Sequence, residues 1–245
     1  MDALAADLGL SSPVAVATPS ANPAVEPELH YLLPGDVALY TTRFPVMPGT
    51  TLMERNAAYL TYYAKVHEEF GALGPKALLL ALTGPSYRLL GGRDEAMCAE
   101  ISAAAKIPVA TSSVTIREAL RALSAGRISL VSPYPAELTD MAVAYWEDSG
   151  IKVVEVVKVT EEFRAYELRS QEVFEALSKV KTAADATVMS GTGMISIPAI
   201  TRVRQGSARP VLSSNLCGGW WLTAKAGHAA GAGLAAAAPE LAARL

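Results

Sequence analysis

Six strand-to-helix turns of this 245-residue chain carry small hydroxyl or amide residues. The first two are Thr18-Pro19-Ser20-Ala21-Asn22 and Thr83-Gly84-Pro85-Ser86-Tyr87. Thr111-Ser112-Ser113, Ser132-Pro133-Tyr134, Ser190-Gly191-Thr192-Gly193 and Ser213-Ser214-Asn215 follow. Neutral donors at helix starts, backed by free N–H groups and the helix dipole, favour an anion. Most of these turns lack Lys or Arg, and no GxxxxGK(S/T) or GxGxxG pattern occurs, which argues against a polyphosphate. One or two carboxylates held by neutral donors fit that chemistry. Any one of these Ser or Thr residues is explained as a helix N-cap. Six such turns at one end of a sheet call for a ligand.

The elements that must position them are legible as short apolar runs alternating with longer segments of helical period, the signature of a parallel sheet covered by helices. Val14–Ala17, Asp36–Tyr40, Ala77–Leu80 and Pro108–Ala110 read as four strands, and Ile128–Val131, Lys152–Val157, Ala186–Met189 and Pro210–Leu212 as four more. Helical spacing predicts helices at about 51–71, 93–105, 114–125, 136–149, 168–182 and 217–229. In parallel α/β sheets ligands bind beyond the carboxyl ends of the strands, where all six turns fall.

The pattern repeats. VAVATPSANPAVEPEL near the start has a counterpart in ISLVSPYPAELTDMAV, and IPVATSSVTIREALRALSAG echoes RPVLSSNLCGGWWLTAKAG. Between them ALLLALTGPS and ATVMSGTGMIS are both apolar strands opening into Gly/Ser/Thr turns. Three motifs in matching order indicate two related halves. The expected fold is therefore α/β, with two pseudo-symmetric lobes, each a four-stranded parallel sheet flanked by helices. The division reads as a flexible arm at 1–12, a first lobe at 13–115 plus about 213–245, and a second lobe at 116–212. The alanine-rich tail from about Ala229 is expected to end as a helix after Pro239.

Composition excludes several classes. Hydrophobic residues make up 51% and charged residues 18%, enough for a sizeable core. A net charge of −3 with scattered Lys and Arg gives no electrostatic reason to bind nucleic acid or an anionic membrane. Cys98 and Cys217 lie far apart, and His30, His67 and His228 are dispersed, so neither a disulfide framework nor a metal site is expected. The amino terminus lacks the basic start and apolar run of a signal peptide, and no membrane span is visible, so the expected location is the cytoplasm.

Pro19-Ser20-Ala21-Asn22-Pro23-Ala24-Val25-Glu26 is similar to the PSSNxxxE opening of maleate isomerases. Ser132-Pro133-Tyr134 is similar to their TPY segment, and Ser213-Ser214 with Trp220 to an SSxxxxxW segment after the last strand. From about Val14 to Lys225 the chain thus resembles the aspartate/glutamate racemase superfamily, in the branch of maleate cis-trans isomerase and arylmalonate decarboxylase. The resemblance implies two pseudo-symmetric lobes with the site between them, no cofactor, and carboxylate contacts from Asn22 and Tyr134. Ser20, Thr83, Gly84, Ser86, Ser112, Ser113, Gly191, Thr192 and Ser214 join them as candidate substrate-binding residues.

The departures restrict the chemistry. Isomerases and racemases of this group use two cysteines, and arylmalonate decarboxylases keep the second; the corresponding positions here are Leu82 and Gly191. Glu161 or Glu162 replaces an asparagine that maleate isomerases carry after the sixth strand. Cys98 falls within a helix and reads as a buried structural thiol. Cys217 stands at a helix start, where it is either a relocated nucleophile or core packing. Two-base racemisation and covalent attack by cysteine are excluded at Leu82 and Gly191. Decarboxylation needs only an oxyanion pocket and a later proton donor; Tyr134 is one candidate donor and Glu162 a second, if its loop folds over the site rather than standing in solvent. Arg88 either pairs with a carboxylate or makes a surface ion pair. Phe44, Tyr87, Met194 and Trp220 are candidates for setting pocket size. Three readings stay open: a cysteine- and cofactor-independent lyase or isomerase acting on a small mono- or dicarboxylic acid, a non-catalytic carboxylate-binding protein derived from such an enzyme, or an enzyme in which Cys217 has taken the catalytic role. A homodimer is expected from the apolar helix around 51–71 and from the resemblance.

Overall fold

Each apolar run becomes a parallel strand because helices cover both faces of its sheet. The computed structural model describes Asp7 and residues 9–245. The first sheet holds β1 (Ser11–Pro19), β2 (Val37–Phe44), β3 (Leu78–Leu80) and β4 (Val109–Thr111) in the order β2-β1-β3-β4. The second holds β5 (Arg127–Ser132), β6 (Lys152–Lys158), β7 (Ala186–Met189) and β8 (Val211–Ser213) in the order β6-β5-β7-β8. Every pairing is parallel. The identical strand order is the structural form of the sequence repeat.

Alternation along β1 shows how the sheet is clamped. Val14 and Val16 enter a core shared by both sheets, with Leu29, Leu79, Ile128 and Leu212. Ala15 and Ala17 face a separate cluster with Tyr59, Tyr63, Phe70 and Leu80. One end of the proposed arm is corrected: β1 begins at Ser11, whose N–H donates to the Asp36 carbonyl oxygen, so Ser11 and Ser12 belong to the strand. Of the rest of that arm, residues 1–6 and 8 lie outside the described residues.

Three helices matter for the site. The helix α1 (Val25–Leu32) follows the first turn. The next, α2 (Leu52–Tyr63), opens with a reciprocal cap in which Thr51 Oγ1 accepts from Glu54 N–H (3.2 Å) and Glu54 Oε2 accepts from Thr51 N–H (2.8 Å). It stops short of the expected 71: a separate 3-10 stretch spans Val66–Leu73, broken by Gly71 at a φ of 46°. The third, α3 (Gly84–Leu89), starts directly from the β3 turn.

Further along are α4 (Gly91–Ala105), α5 (Ser112–Ala122), α6 (Ala136–Asp148), α7 (Ser170–Ser178), α8 (Ile197–Arg204) and α9 (Ser214–Ala226). Although α9 follows the last strand of the second sheet, it packs against α1 and α5. Short helices α10 (Ala232–Ala237) and α11 (Pro239–Ala242) end the chain, the latter starting at Pro239 as expected. No helix among the described residues is long and apolar enough to cross a membrane.

Candidate active site between the two sheets

The turns after β3 and β7 meet face to face. Beyond β3 the chain runs Ala81-Leu82-Thr83-Gly84, and beyond β7 Ser190-Gly191-Thr192-Gly193. The two sheets share one strand order, so Leu82 is the mate of Gly191, Thr83 of Thr192, and Gly84 of Gly193. Between these turns lies a cavity of about 30 Å³, lined also by Pro19, Tyr134 and residues of α2. That space suits water; a larger ligand requires the walls to part.

Its polar wall is a set of mutually satisfied hydroxyls. Thr83 Oγ1 and Tyr134 OH are 2.7 Å apart, and Gly191 N–H donates to Thr83 Oγ1 at 3.2 Å. Thr192 Oγ1 donates to the Ala81 carbonyl at 3.1 Å. Burial holds the Tyr134 phenol above its ordinary value, so it stays protonated and is a donor rather than a base. The apolar wall comes from Leu52 and Tyr59 of α2 and from Phe163 and Tyr166 of the loop after β6. The Phe163 ring stacks on Tyr134 with centroids 6.1 Å apart. Tyr166, likewise raised by burial, lies over Gly193.

Thr83, Gly84, Tyr134, Gly191, Thr192 and Leu82 all line the cavity. Asn22 stands one hydrogen bond behind it. The Asn22 side chain is 2% exposed; its Nδ2 donates to Thr192 Oγ1 (2.9 Å), while Oδ1 accepts from Ala24 and Val25 N–H at the start of α1. One amide thus caps a helix of the first lobe and grips a turn of the second. Glu28, one turn further along α1, makes a parallel tie. It accepts from Ser196 N–H and Oγ, from Ile197 N–H and from Asn215 Nδ2. Asn215 Nδ2 also donates to the Thr192 carbonyl at 3.0 Å, so both ties converge on Thr192.

Other sequence candidates lie elsewhere. Ser20 is half-buried, its carbonyl accepting from Arg43 Nη1 at 2.7 Å. Ser86, Ser112 and Ser113 are wholly buried behind the cavity wall, their hydroxyls without partners among the described residues. Ser214 Oγ reaches the Met189 carbonyl at 3.4 Å. Thr111 and Ser213 are N-caps, accepting from Val114 and Leu216 N–H at 3.2 Å each.

Three candidates fall away from the cavity: the Glu162 donor is corrected, and Cys217 takes the core-packing alternative. Glu162 is exposed and Glu161 pairs with Lys158; the β6 loop does fold over the site, but with its aromatic residues inward because these bury the larger apolar area. Cys217 sits fully buried in α9, where burial pushes its thiol up, and it does not line the cavity. Arg88 is exposed on α3 and also absent from the wall. Tyr87, a candidate for pocket size, lies buried behind the wall with its OH 2.7 Å from Ser190 Oγ.

The cation that does line the cavity is Arg55, beside Asn56 on α2. Sequence reading missed both. The available signal was Asn56 itself, an amide in the helical stripe Asn56, Tyr59, Tyr63 whose other members are core residues. Among the described residues, Arg55 is the one formally charged residue lining the cavity.

Comparisons agree with this architecture. A maleate isomerase from Geobacillus stearothermophilus is 32% identical over 138 residues, a stretch that covers 54% of this chain and about half (53%) of that protein. One from Nocardia farcinica is 27% identical over 222 residues, 84% of this chain and 87% of that protein. The solved structure of a Nocardia farcinica maleate cis-trans isomerase mutant, with a covalently bound succinylcysteine intermediate, superposes with a TM-score of 0.81. It is 23% identical, with 94% of this chain and 98% of that one covered. The model of the arylmalonate decarboxylase family matches residues 55–237, which include β3 to β8 and both turns that face the cavity. The chain belongs to the arylmalonate decarboxylase family, in the branch it shares with the maleate isomerases.

Proposed function

We propose that this chain is a cofactor-independent lyase, a decarboxylase of a small carboxylic acid that works without a cysteine pair. The observation that carries this reading is the chemistry of the cavity lining: among the described residues it offers hydroxyl and backbone donors, one cation, and neither a carboxylate nor a thiol. Such a wall suits an anionic ligand and the spread negative charge of an enediolate.

The reaction balances without sulfur. The bond between the α-carbon and one carboxylate breaks, CO₂ leaves, and the electron pair delocalises onto the remaining carboxylate. Thr83, Tyr134 and the Gly191 N–H face that oxyanion in place of one another. A proton then adds to the α-carbon, with the Tyr134 phenol or a water beside it as donor. A covalent route is disfavoured by shape as well as by composition. Gly191 holds a φ of 84°, and a Cβ there would lie 2.9 Å from Pro133 Cγ. The turn is built for glycine, so the position has lost both the thiol and the backbone suited to one.

One observation favours a second reading, a carboxylate-binding protein without turnover. Burial raises the three phenols of the lining, Tyr59, Tyr134 and Tyr166, so they stay protonated near neutrality and give up a proton slowly. Incubating the protein with malonate, phenylmalonate and maleate, followed by proton NMR, separates the readings. Loss of CO₂ from a malonate supports the lyase, and conversion of maleate to fumarate points instead to the isomerase. Tight binding with the acid recovered unchanged supports the binding protein, and no binding by any of the three removes both. The proposal extends to a cytoplasmic homodimer, supported by the exposed ring of Tyr62 on α2; light scattering tests the dimer.

A further inference from the structure

Gly84 and Gly193 are mates across the pseudo-twofold, and each lacks a Cβ because another side chain occupies that space. A Cβ on Gly84 would lie 2.6 Å from Asn56 Nδ2 and 2.9 Å from Asn56 Cγ. A Cβ on Gly193 would lie 2.7 Å from Tyr166 Cε1. Both intruding residues come from the segment between the second and third strands of their lobe, so the two ends of the cavity share a construction. They differ in chemistry. The Gly84 end is capped by an amide with a guanidinium beside it, and the Gly193 end by a phenol ring with Phe163 behind it.

The amide has unspent capacity. Asn56 is 5% exposed, lines the cavity, and its Nδ2 is buried with no acceptor among the described residues. An unmatched buried donor destabilises the folded protein. A ligand oxygen would satisfy it. Arg55 likewise has no carboxylate within salt-bridge distance among the described residues.

We infer that Asn56, with Arg55 beside it, is the specificity-determining site for a second carboxylate of the ligand, and that Gly84 is glycine in order to admit the Asn56 amide. The inference rests on the carboxylate reading above and deepens it: it orients the ligand. The carboxylate retained through the reaction lies against Thr83, Tyr134 and Gly191. The second lies against Asn56 and Arg55 on α2, and any apolar substituent is left to the Tyr166–Phe163 end.

Calorimetric binding of malonate and acetate to the full chain tests it. Wild type is expected to bind malonate at least tenfold more tightly than acetate. Asn56→Ala should weaken malonate about tenfold, as loss of a hydrogen bond to a charged group does, and move acetate less than threefold. Because the amide is unpaired in the empty protein, the variant should keep or raise the melting temperature; an asparagine present only for packing would lower it. Gly84→Ala should weaken malonate in the wild-type background by displacing the amide, and add little to Asn56→Ala. An unchanged malonate-to-acetate ratio in Asn56→Ala overturns the inference while leaving the carboxylate reading in place. Full additivity of the two substitutions overturns it as well. Failure of wild type to bind either anion overturns the carboxylate reading, and the inference with it.

Discussion

Thr83 of the first lobe and Tyr134 of the second meet hydroxyl to hydroxyl at 2.7 Å, and the Gly191 N–H donates to the same Thr83 oxygen. The bond closes the cavity on itself. Three groups that could hold an oxyanion are, in the empty protein, satisfied by one another, so this wall of the pocket carries little desolvation penalty until a better acceptor arrives. The same contacts tie the turn after β3 to the turns after β5 and β7.

Removing the phenolic oxygen tests whether this contact serves chemistry. Tyr134→Phe should lower kcat for CO₂ release from phenylmalonate by about 100-fold, the usual effect of losing one oxyanion donor. Thr83→Val should act similarly, and the double variant should be little worse than either, because the two hydroxyls act as a unit. Independent, multiplying losses would separate Tyr134 from Thr83.

Asn22 combines two functions that substitution can separate. Asn22→Asp keeps an acceptor for Ala24 and Val25 N–H but removes the donor to Thr192. It should raise KM through a displaced Thr192, and its stability should fall as pH rises, because the buried site penalises the new charge. Asn22→Ala carries no such charge; it loses the two Oδ1 bonds at the start of α1 and should cost about 1–2 kcal/mol at every pH. A melting-temperature difference between the two variants that does not change with pH would show that the carboxylate is accommodated there.

All eight strands were legible in the sequence because apolar runs bounded by turn residues leave little choice of structure. The repeat then fixed how many lobes to expect. Helices of eight or fewer residues were harder: α1, α3 and α8 are short, each contains or adjoins a proline, and none sustains a helical period long enough to read. Cavity-lining residues Thr83, Tyr134, Gly191 and Thr192 lie on turns next to strands, so pattern alone placed them near one another. Arg55, Asn56, Phe163 and Tyr166 reach the cavity from segments remote in sequence, and which side of a helix or loop faces inward is decided by packing. Glu162 misled for the same reason, since a loop that folds over a site still has two faces.

Neither sulfur is expected to react in the folded protein. Cys217 is wholly buried in α9, and burial of Cys98 pushes its thiol up to about 12. Iodoacetamide at pH 8 should leave turnover and mass unchanged over an hour, whereas both thiols should be alkylated in urea. Cys217→Ser should likewise leave kcat within a factor of two, with a lower melting temperature from a hydroxyl placed among apolar neighbours. Rapid inactivation of the native protein with one alkyl group added would return Cys217 to the catalytic candidates.

Asp94 gives the stability of the first lobe a pH dependence whose sign can be stated. It is fully buried on α4; Thr111 Oγ1 and Tyr145 OH donate to Oδ2 at 2.9 Å each, and Oδ1 has no partner among the described residues. Burial raises its carboxyl above the ordinary aspartate value, opposed by those two donors and by the nearby Arg117 guanidinium. Tyr63, Tyr145 and Cys98 are the other titratable groups around it, and burial holds all three above their ordinary values. A carboxyl whose folded pKa is raised binds its proton more tightly in the native state. Its contribution to stability is therefore complete below about pH 3.9, the unfolded value, and is lost as pH climbs through the folded one. Asp94→Asn keeps an oxygen for both donors and carries no charge to desolvate. Its melting temperature relative to wild type should therefore improve steadily from pH 4.5 to pH 8. A difference that stays flat over that range would mean that the Asp94 carboxylate is as well accommodated in the fold as in water.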